Sequence, residues 1–352
     1  MITECPSEET GNSSVAPCSR PMNNACGRVT EGYIAEVVAR LAAFSDAVKT
    51  LDESIARAKA AERLGVESVW ITQLPYARDA ALVLAAYANA TQRIAFGTGV
   101  LPIYTRHPTA MVQMAASLDE LSGGRFILGM GVSHKLTVES MWGMHLEHPV
   151  EAMREYLDIV RTSLRDGGCS IDGKHFSAHW TYSGPRRAEM PVMISALSPR
   201  MLELAGEQAD GVVLWMCSPA YIRDHVVPAV TAGRQKAGKT MEGFEIVAAI
   251  SVSLTNDRPA ALAVFRQTVE RYSNLPFYRK ALDAGGFKDE LAAGTVSDEM
   301  LDELGGIGDE ERVRDAIRRY REAGVTLPGA GSFGGHQGAA GFEATLEAAV
   351  GA

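Results

Sequence analysis

The sequence predicts an α/β fold, a single parallel (β/α)8 TIM barrel, on three observations. Two apolar, strand-like runs, Ile94–Leu101 and Phe126–Val132, flank a helix-patterned segment, Pro108–Leu121, which Gly123-Gly124 ends. This strand–helix–strand unit repeats along the chain. The chain has 352 residues, a length at which one such barrel is common. Because the carboxyl ends of all barrel strands meet at one mouth, we expect the chemistry there.

The first third of the chain supplies the first strands and helices. Val38–Phe44 is expected to be the first strand, and Thr50 with Glu53 forms a capping box that starts a helix. Gly65 ends that helix, and another is expected over Asp79–Asn89. The remaining well-patterned strands are predicted at Ser68–Thr72, Val192–Ala196, Gly211–Met216 and Ile246–Leu254.

An insertion is expected in the middle of the chain. A short helical segment near Leu136–Trp142 precedes a longer helix, which the stripe from Met153 to Leu164 predicts. Gly167–Pro191 contains turn residues and scattered aromatic residues without helical spacing. We therefore predict a hairpin-like insertion there, near the C-terminal mouth of the barrel.

The last quarter of the chain is less regular. Helices are predicted over Arg258–Tyr272, around Val313–Tyr320 and over Phe342–Val350, with an excursion of short helices over Asn274–Gly308. The eighth strand should follow Gly324. However, proline and glycine residues within Val325–Ala330 argue against a regular buried strand.

An open, doubly wound sheet is the alternative fold. Such a fold that binds a dinucleotide carries a Gly-x-Gly-x-x-Gly turn after its first strand. No such turn follows the first predicted strand, and the pair Gly129 and Gly131 lies inside a strand. The barrel is therefore preferred.

Composition excludes several classes of function. The net charge of -9 and the lack of Lys/Arg runs argue against a nucleic-acid partner. No apolar stretch is long enough to span a bilayer, and no secretory signal pattern is visible. The five cysteines lack CxxC spacing, which argues against a zinc site, and no metal site is predicted. We expect reduced thiols and a cytoplasmic protein that acts on a small molecule.

Residues 1–32 are rich in Ser, Asn, Pro, Glu and Cys and show no apolar periodicity. They are predicted to be a disordered or extended tail. The barrel domain is expected to occupy residues 33–352.

Several sequence blocks in the central unit carry a family resemblance. They resemble the bacterial luciferase-like flavin oxidoreductase superfamily. The blocks are Gly97-Thr98-Gly99-Val100-Leu101-Pro102, Arg106-His107-Pro108, Ser122-Gly123-Gly124-Arg125-Phe126 and Leu128-Gly129-Met130-Gly131.

Further blocks resemble the branch of that superfamily that depends on coenzyme F420, a deazaflavin. The resemblance runs from about Val38 to about Asp315. These blocks are Trp70-Ile71-Thr72-Gln73-Leu74, Ser133-His134, Met153-Arg154-Glu155-Tyr156-Leu157 and Ala196-Leu197-Ser198-Pro199-Arg200-Met201-Leu202.

The resemblance implies an enzyme that transfers hydride between coenzyme F420 and a small molecule, reducing an activated C=C or C=N bond or running the reverse oxidation. It also implies a non-proline cis peptide at Gly99-Val100, behind the cofactor ring, and a homodimer. The cofactor-binding residues that it implies are Gly99, Val100, Leu101, Arg106, Ser133, His134, Ala196, Leu197, Ser198, Trp215 and Met216.

Three residues are candidates for catalysis. His134 follows a strand at the mouth, and an imidazole with an ordinary pKa near 6.5 suits general acid work. Gln73 can hydrogen-bond a ring carbonyl or the substrate, although an amide is no useful acid. Glu139 could orient or replace His134. Each also has a structural alternative, which for Ser133 is a helix N-cap.

Ser198-Pro199 and Ser218-Pro219 each follow a strand with an N-cap serine and a proline at the first helical position. A helix start of this kind can bind an anion. Two of them are expected side by side at the mouth. Simple helix capping is the alternative, and the assignment to the cofactor's phosphate comes from the resemblance.

Two other functions remain open. One is an FMN-dependent luciferase-like monooxygenase, which oxygen consumption would distinguish. The other is a non-catalytic relative that binds the cofactor, which the weak eighth strand and Gln73 favour slightly.

Overall fold

The computed structural model describes residues 40–47, 50–331 and 339–352. The predicted tail, residues 1–32, and the first two residues of the predicted first strand lie outside the described residues. Among the helices of the described ranges, none combines the length and apolarity needed to cross a bilayer.

A closed barrel of eight parallel strands forms the body of the molecule, as predicted. The order of pairing follows the chain, and the last strand returns to pair with the first. The barrel strands are β1 (Ala42–Asp46), β2 (Ser68–Thr72), β3 (Ala95–Thr98) with its continuation β4 (Leu101–Pro102), β5 (Phe126–Gly131), β8 (Val192–Ser195), β9 (Gly211–Trp215), β10 (Glu245–Leu254) and β12 (Leu327–Gly331).

Helices cover the outside of the barrel and begin where the sequence places caps. Thr50 accepts a hydrogen bond from the N–H of Glu53, and Gly123 ends its helix in the left-handed conformation. The helices are α1 (Leu51–Arg63), α2 (Ala80–Ala90), α3 (Pro108–Ser122), α4 (Pro149–Asp166), α5 (Pro199–Gln208), α6 (Pro219–Tyr221), α7 (Val227–Lys236), α8 (Arg258–Ser273), α9 (Pro276–Leu282), α10 (Lys288–Ala292), α11 (Asp298–Leu304), α12 (Glu310–Glu322) and α13 (Ala339–Val350).

The doubt about the eighth strand is wrong. β12 is a regular strand that pairs with β1 on one side and β10 on the other. Pro328 has no backbone N–H to donate, but backbone pairing with β1 and β10 keeps the strand in the sheet. Gly329 is small for a packing reason, because a Cβ there would lie 2.4 Å from the ring of Phe44.

The predicted insertion is an antiparallel hairpin of β6 (Gly168–Ile171) and β7 (Ala178–Thr181). Its tip lies beside the starts of α3 and α4, at the C-terminal rim. There the Nε2 of His107 lies 3.2 Å from the carbonyl oxygen of Ser177, and the His148 and His175 rings are 6.0 Å apart. Glu155 of α4 fixes the tip by accepting three backbone hydrogen bonds, of 2.7 to 3.0 Å.

The excursion after α8 consists of α9, a π-helical turn at Asp283–Phe287, α10 and α11. It ends in an additional strand, β11 (Gly305–Gly308), which pairs with the carboxyl-terminal half of β10. The apolar side chains of these elements form a second core outside the barrel.

Arg125 ties the amino-terminal end of the central unit together. Its guanidinium donates hydrogen bonds to the carbonyl oxygens of Ser122, Ile94, Ala88 and Thr91, and to the Thr91 hydroxyl. These acceptors lie at the ends of α2 and α3 and at the start of β3, so one side chain joins three elements. The arginine of the Ser122–Phe126 block therefore has a structural role.

Candidate active site at the carboxyl end of the barrel

A bulge interrupts the third barrel strand at the mouth. Gly97 pairs with Ile127, whereas Leu101 pairs with Met130. Between these two pairs the third barrel strand advances by four residues (97 to 101), whereas β5 advances by three (127 to 130). The third barrel strand therefore holds one extra residue at this point. The peptide bond Gly99-Val100 within the bulge is cis, as the resemblance implies.

Thr98 holds the bulge against β5. Its hydroxyl donates to the carbonyl oxygen of Gly129 and accepts from the N–H of Gly129, each over 2.8 Å. A Cβ at Gly129 would lie 2.0 Å from the carbonyl oxygen of Thr98, and one at Gly131 would lie 2.7 Å from Val100 Cγ2. Glycine at both positions therefore lets β5 approach the bulge.

The interior floor of the mouth is apolar. The rings of Phe44 and Trp70 stack with centroids 5.8 Å apart, and Val100, Trp215 and Ala249 pack around them. Trp70 fills the space beside Gly97, where a Cβ would lie 2.7 Å from its ring. The barrel is therefore closed below the level of the bulge.

Two serine hydroxyls lie on the interior side above this floor. Ser195 follows the inward-facing Met193, and a Cβ at Gly131 would lie 2.4 Å from its Oγ, so it lies next to the bulge. Ser251 follows the inward-facing Ala249 on β10. Its side chain is only 4% exposed, and its hydroxyl has no hydrogen-bond partner within the described residues. A buried hydroxyl of this kind is suited to a bound ligand.

His134 lies at the exit of β5 in an aromatic environment. Its ring centroid is 5.4 Å from that of Tyr278 and 6.4 Å from that of Tyr272. Burial lowers the pKa of His134 below its ordinary value. The imidazole is therefore predominantly neutral at neutral pH.

Ser133 does not cap the helix after β5. It takes a left-handed conformation with φ 61°, and the following π-helical segment covers Leu136–Met141 with Lys135 as its first flanking residue. The N-cap alternative is therefore wrong. The strained backbone of Ser133 instead turns the chain sharply between β5 and His134.

Gln73 is engaged by the loop in which it lies. Its Oε1 accepts from the N–H of Ala80 over 2.9 Å, and its Nε2 donates to the carbonyl oxygen of Leu74 over 3.1 Å. The amide thus holds the β2–α2 loop and the start of α2. Its catalytic role stays a prediction without geometric support.

Glu139 lies apart from the His134 ring. Its carboxylate accepts from the N–H of Leu146 over 3.4 Å and forms an i,i+4 pair with Lys135 at 3.8 Å. No hydrogen bond joins it to His134 among the residues that the structure describes. The geometry fits a surface helix contact better than catalysis.

Arg106, predicted to reach an anion, pairs with a residue of the chain itself. Its guanidinium forms an ion pair with Asp79, whose other oxygen caps α2 at the N–H of Ala81. The charge available to a ligand is therefore reduced. Its carbonyl oxygen accepts from the hydroxyl of Tyr156 over 2.9 Å.

The two serine-proline helix starts are neighbours, but only one is open. Ser198 caps α5 through the N–H of Met201, and the following Pro199 is exposed. Ser218 is buried, and its hydroxyl donates to the carbonyl oxygen of Gly285 over 3.2 Å. The expectation of a second accessible anion site is therefore wrong, because the excursion covers it.

The other predicted cofactor-binding residues divide between the interior and the cores. Val100 and Trp215 contribute to the interior, and Leu197 is partly buried between the two outer cores. Leu101 and Ala196 are buried in the main core, while Met216 packs in the second core. Those three can therefore offer a ligand little beyond their backbone.

Sequence reasoning missed several residues of the mouth. Successive side chains of a strand point to opposite faces, so Asp46, at the end of β1, lies on the same inner face as Ala42 and Phe44. The same rule would have identified Ser195 and Ser251 as inward-facing residues. Tyr272 and Tyr278 carried no local signal. They reach His134 through the folding of a distant part of the chain.

A concave region lies outside the barrel, between the start of α4, α5 and the end of α7. Its charged side chains pair with one another: Glu207 with Arg154 at 2.8 Å and with Lys236, and Arg200 with Glu151 at 3.2 Å. The interior mouth is therefore the better candidate for a functional site.

Comparisons with known proteins agree with the resemblance. Residues 32–327 match the family model described as luciferase-like monooxygenase. A putative coenzyme F420-dependent oxidoreductase of Mycobacterium tuberculosis is 33% identical over 76% of this chain and 87% of its own. A 5,10-methylenetetrahydromethanopterin reductase of Archaeoglobus fulgidus is 32% identical over 78% and 87%.

A solved structure is also similar across nearly the whole fold. It is the coenzyme F420-dependent tetrahydromethanopterin reductase of Methanopyrus kandleri. It superimposes with a TM-score of 0.74 and 26% sequence identity, covering 89% of this chain and 97% of its own.

Proposed function

This chain belongs to the luciferase-like monooxygenase family, and from that premise we propose that it is an oxidoreductase that uses coenzyme F420. Both curated relatives cover more than three quarters of this chain; one is named for coenzyme F420 and the other is a reductase. The similar solved structure is also of a coenzyme F420-dependent enzyme. The bulge at Gly99-Val100, at the mouth of a closed barrel, is the structural observation that carries the proposal.

The residues of the mouth fit a flat, polar-edged ring. Val100 and Trp215 offer apolar surface, and Ser195 and the unpartnered hydroxyl of Ser251 offer hydrogen bonds to a ring edge. The open helix start at Ser198 is suited to the anionic side chain of the cofactor. These residues would therefore hold the group.

When bound, reduced coenzyme F420 supplies a hydride from C5 of its ring. The chain would orient the accepting carbon, exclude water and deliver the balancing proton. The electron pair of the reduced bond goes to the atom that takes this proton. His134 is our candidate to provide it, because the residue follows β5, whose carboxyl end pairs with the bulged strand.

We propose an activated C=C or C=N bond as the acceptor, because either one gives an electrophilic carbon for hydride and a neighbouring atom for the proton. Coenzyme F420 reduced with deuterium at C5 would test this with cyclohex-2-enone and 1-pyrroline as probes. The product should carry one deuterium at the former electrophilic carbon. Substrate-dependent oxygen consumption with reduced FMN, and no deuterium transfer from coenzyme F420, would favour the monooxygenase instead.

The non-catalytic alternative loses part of its basis. The eighth strand is regular, and Gln73 has a clear role in its loop. Transfer of deuterium to either probe would exclude a role in binding alone.

We also propose a cytoplasmic homodimer. Cys169 and Cys217 are free thiols, as favoured in a reducing compartment. Large exposed apolar side chains, such as Leu82 and Met141, offer surface for a second copy. Sedimentation equilibrium would test the assembly.

A further inference from the structure

Four aromatic rings meet at one side of the mouth, and we call them the aromatic wall: Trp215, Tyr272, Tyr278 and His134. Ring centroids are 5.9 Å apart for Trp215 and Tyr272, and 4.9 Å for Tyr272 and Tyr278. The Tyr278 and His134 centroids are 5.4 Å apart. The wall is thus continuous from the end of β9 to the exit of β5.

The wall comes from four separate elements. Trp215 ends β9, Tyr272 lies in the last turn of α8, Tyr278 lies in α9, and His134 follows β5. The excursion after α8 therefore brings Tyr278 to the residue that follows the central strand. This excursion, whose sequence shows no clear apolar periodicity, therefore contributes a side chain to the mouth of the barrel.

The rings differ in what they can offer a ligand. Tyr278 is only 8% exposed and supports the others from behind. Trp215, Tyr272 and His134 are partly exposed. The guanidinium of Arg271 lies 5.5 Å from the centroid of Tyr272, on an otherwise exposed side chain, and so occupies one approach to that ring.

The wall is uncharged at neutral pH. Burial raises the pKa of Tyr272 and of Tyr278 and lowers the pKa of His134. Neutral rings that meet nearly at right angles present both faces and edges, and a further aromatic ring can pack on either.

We propose that the aromatic wall is the substrate-recognition surface of this protein and that it selects flat, π-conjugated small molecules. This proposal rests on the proposed function, since it names the substrate class of the same site. A flat acceptor packed on Tyr272 would lie beside His134, whose ring centroid is 6.4 Å away, and its conjugated carbon would lie at the mouth, above the barrel floor.

Two neutral probes of similar size test the proposal directly. One is trans-4-phenylbut-3-en-2-one, and the other is its saturated-ring analogue, trans-4-cyclohexylbut-3-en-2-one. Calorimetric titration of the protein, with and without oxidised coenzyme F420, would give both dissociation constants. We expect the phenyl compound to bind about 2- to 10-fold more tightly, the value of one or two aromatic contacts.

Substitutions of Tyr272 test whether its ring causes the preference for the phenyl probe. Tyr272→Leu should abolish most of the phenyl preference, whereas Tyr272→Phe should keep it, since the contact is made by the ring. Tyr182→Leu removes an aromatic partner of Trp180 on the hairpin, away from the mouth, and should leave the preference unchanged. Thermal unfolding of each variant checks that the fold is intact.

Equal binding of the two probes would overturn the proposal, as would a preference that survives in Tyr272→Leu. Failure of the phenyl compound to bind at about 5 mM would overturn it as well. The cofactor claim is read separately, from the absorbance of coenzyme F420. A phenyl preference without coenzyme F420 binding would support substrate recognition by the aromatic wall and would reject the proposed function.

Discussion

The hydroxyl of Thr98 both donates to the carbonyl oxygen of Gly129 and accepts from its N–H, each over 2.8 Å. This pair of bonds satisfies the backbone of β5 at the point where the bulge interrupts the ladder between the strands. One side chain thus replaces strand pairing beneath the candidate cofactor site.

Thr98→Val should be strongly destabilising. It keeps the shape of the side chain but leaves a buried N–H and a buried carbonyl of Gly129 unpaired, each at a cost of about 1–3 kcal/mol. Urea unfolding should show a loss of about 2–4 kcal/mol in the free energy of unfolding. Thr98→Ser keeps the hydroxyl and should lose much less. Equal stability of the valine and serine variants would show that the two bonds are unimportant.

Gly131→Ala should weaken cofactor binding while the barrel still folds. The added Cβ would lie 2.4 Å from Ser195 Oγ and 2.7 Å from Val100 Cγ2, so both side chains must move. We expect the dissociation constant for coenzyme F420 to rise about 10-fold or more. Unchanged affinity in Gly131→Ala would place the cofactor elsewhere.

The barrel was predictable from local apolar runs, and the cis peptide at Gly99-Val100 from the family resemblance of a contiguous motif. The position of His134 after a central strand was also predictable, and its role stays a prediction. The sequence did not predict which aromatic residues would lie beside His134. Tyr278 lies in an excursion whose residues show no clear pattern, and its approach to His134 is set by the packing of the second core. Gly329 argued against a regular eighth strand for a similar reason. The Phe44 ring that requires a glycine at this position comes from the other end of the chain, so the sequence around Gly329 does not show it.

His134→Asn should lower kcat and leave cofactor affinity nearly unchanged. Removing a general acid costs about 10²–10⁴-fold in rate. Because burial lowers the pKa of His134, its protonated fraction grows only as the pH falls below the ordinary value. The kcat of the wild-type protein should therefore rise toward acidic pH, and that of the variant should not. Weaker cofactor binding with unchanged turnover would instead identify His134 as a binding residue.

Glu155 should make the hairpin tip sensitive to acid. Burial opposes ionisation of Glu155, but hydrogen bonds from the N–H groups of Phe176, His175 and Lys174 outweigh it and lower its pKa. A lowered pKa in the folded state contributes stability above the ordinary glutamate pKa, and this contribution is lost as the pH falls through the lowered value. The protection factors for hydrogen exchange at 174–176, in which the pH dependence of the intrinsic rate is divided out, should fall over that interval.

Glu155→Gln should show low protection factors at the hairpin tip at all pH values, because its amide accepts more weakly than a carboxylate. Glu189→Gln, near the base of the same insertion, is the matched control and should retain wild-type protection. Protection at 174–176 that is independent of pH in the wild-type protein would contradict the role assigned to Glu155.

The central claim is that the mouth holds a deazaflavin, and equilibrium titration with oxidised coenzyme F420 and with FMN, followed by absorbance, tests it most directly. The wild-type protein should bind coenzyme F420 at micromolar concentrations or below and more tightly than FMN, and Gly131→Ala should lose this affinity. Tighter binding of FMN, or no spectral change with coenzyme F420, would contradict the claim.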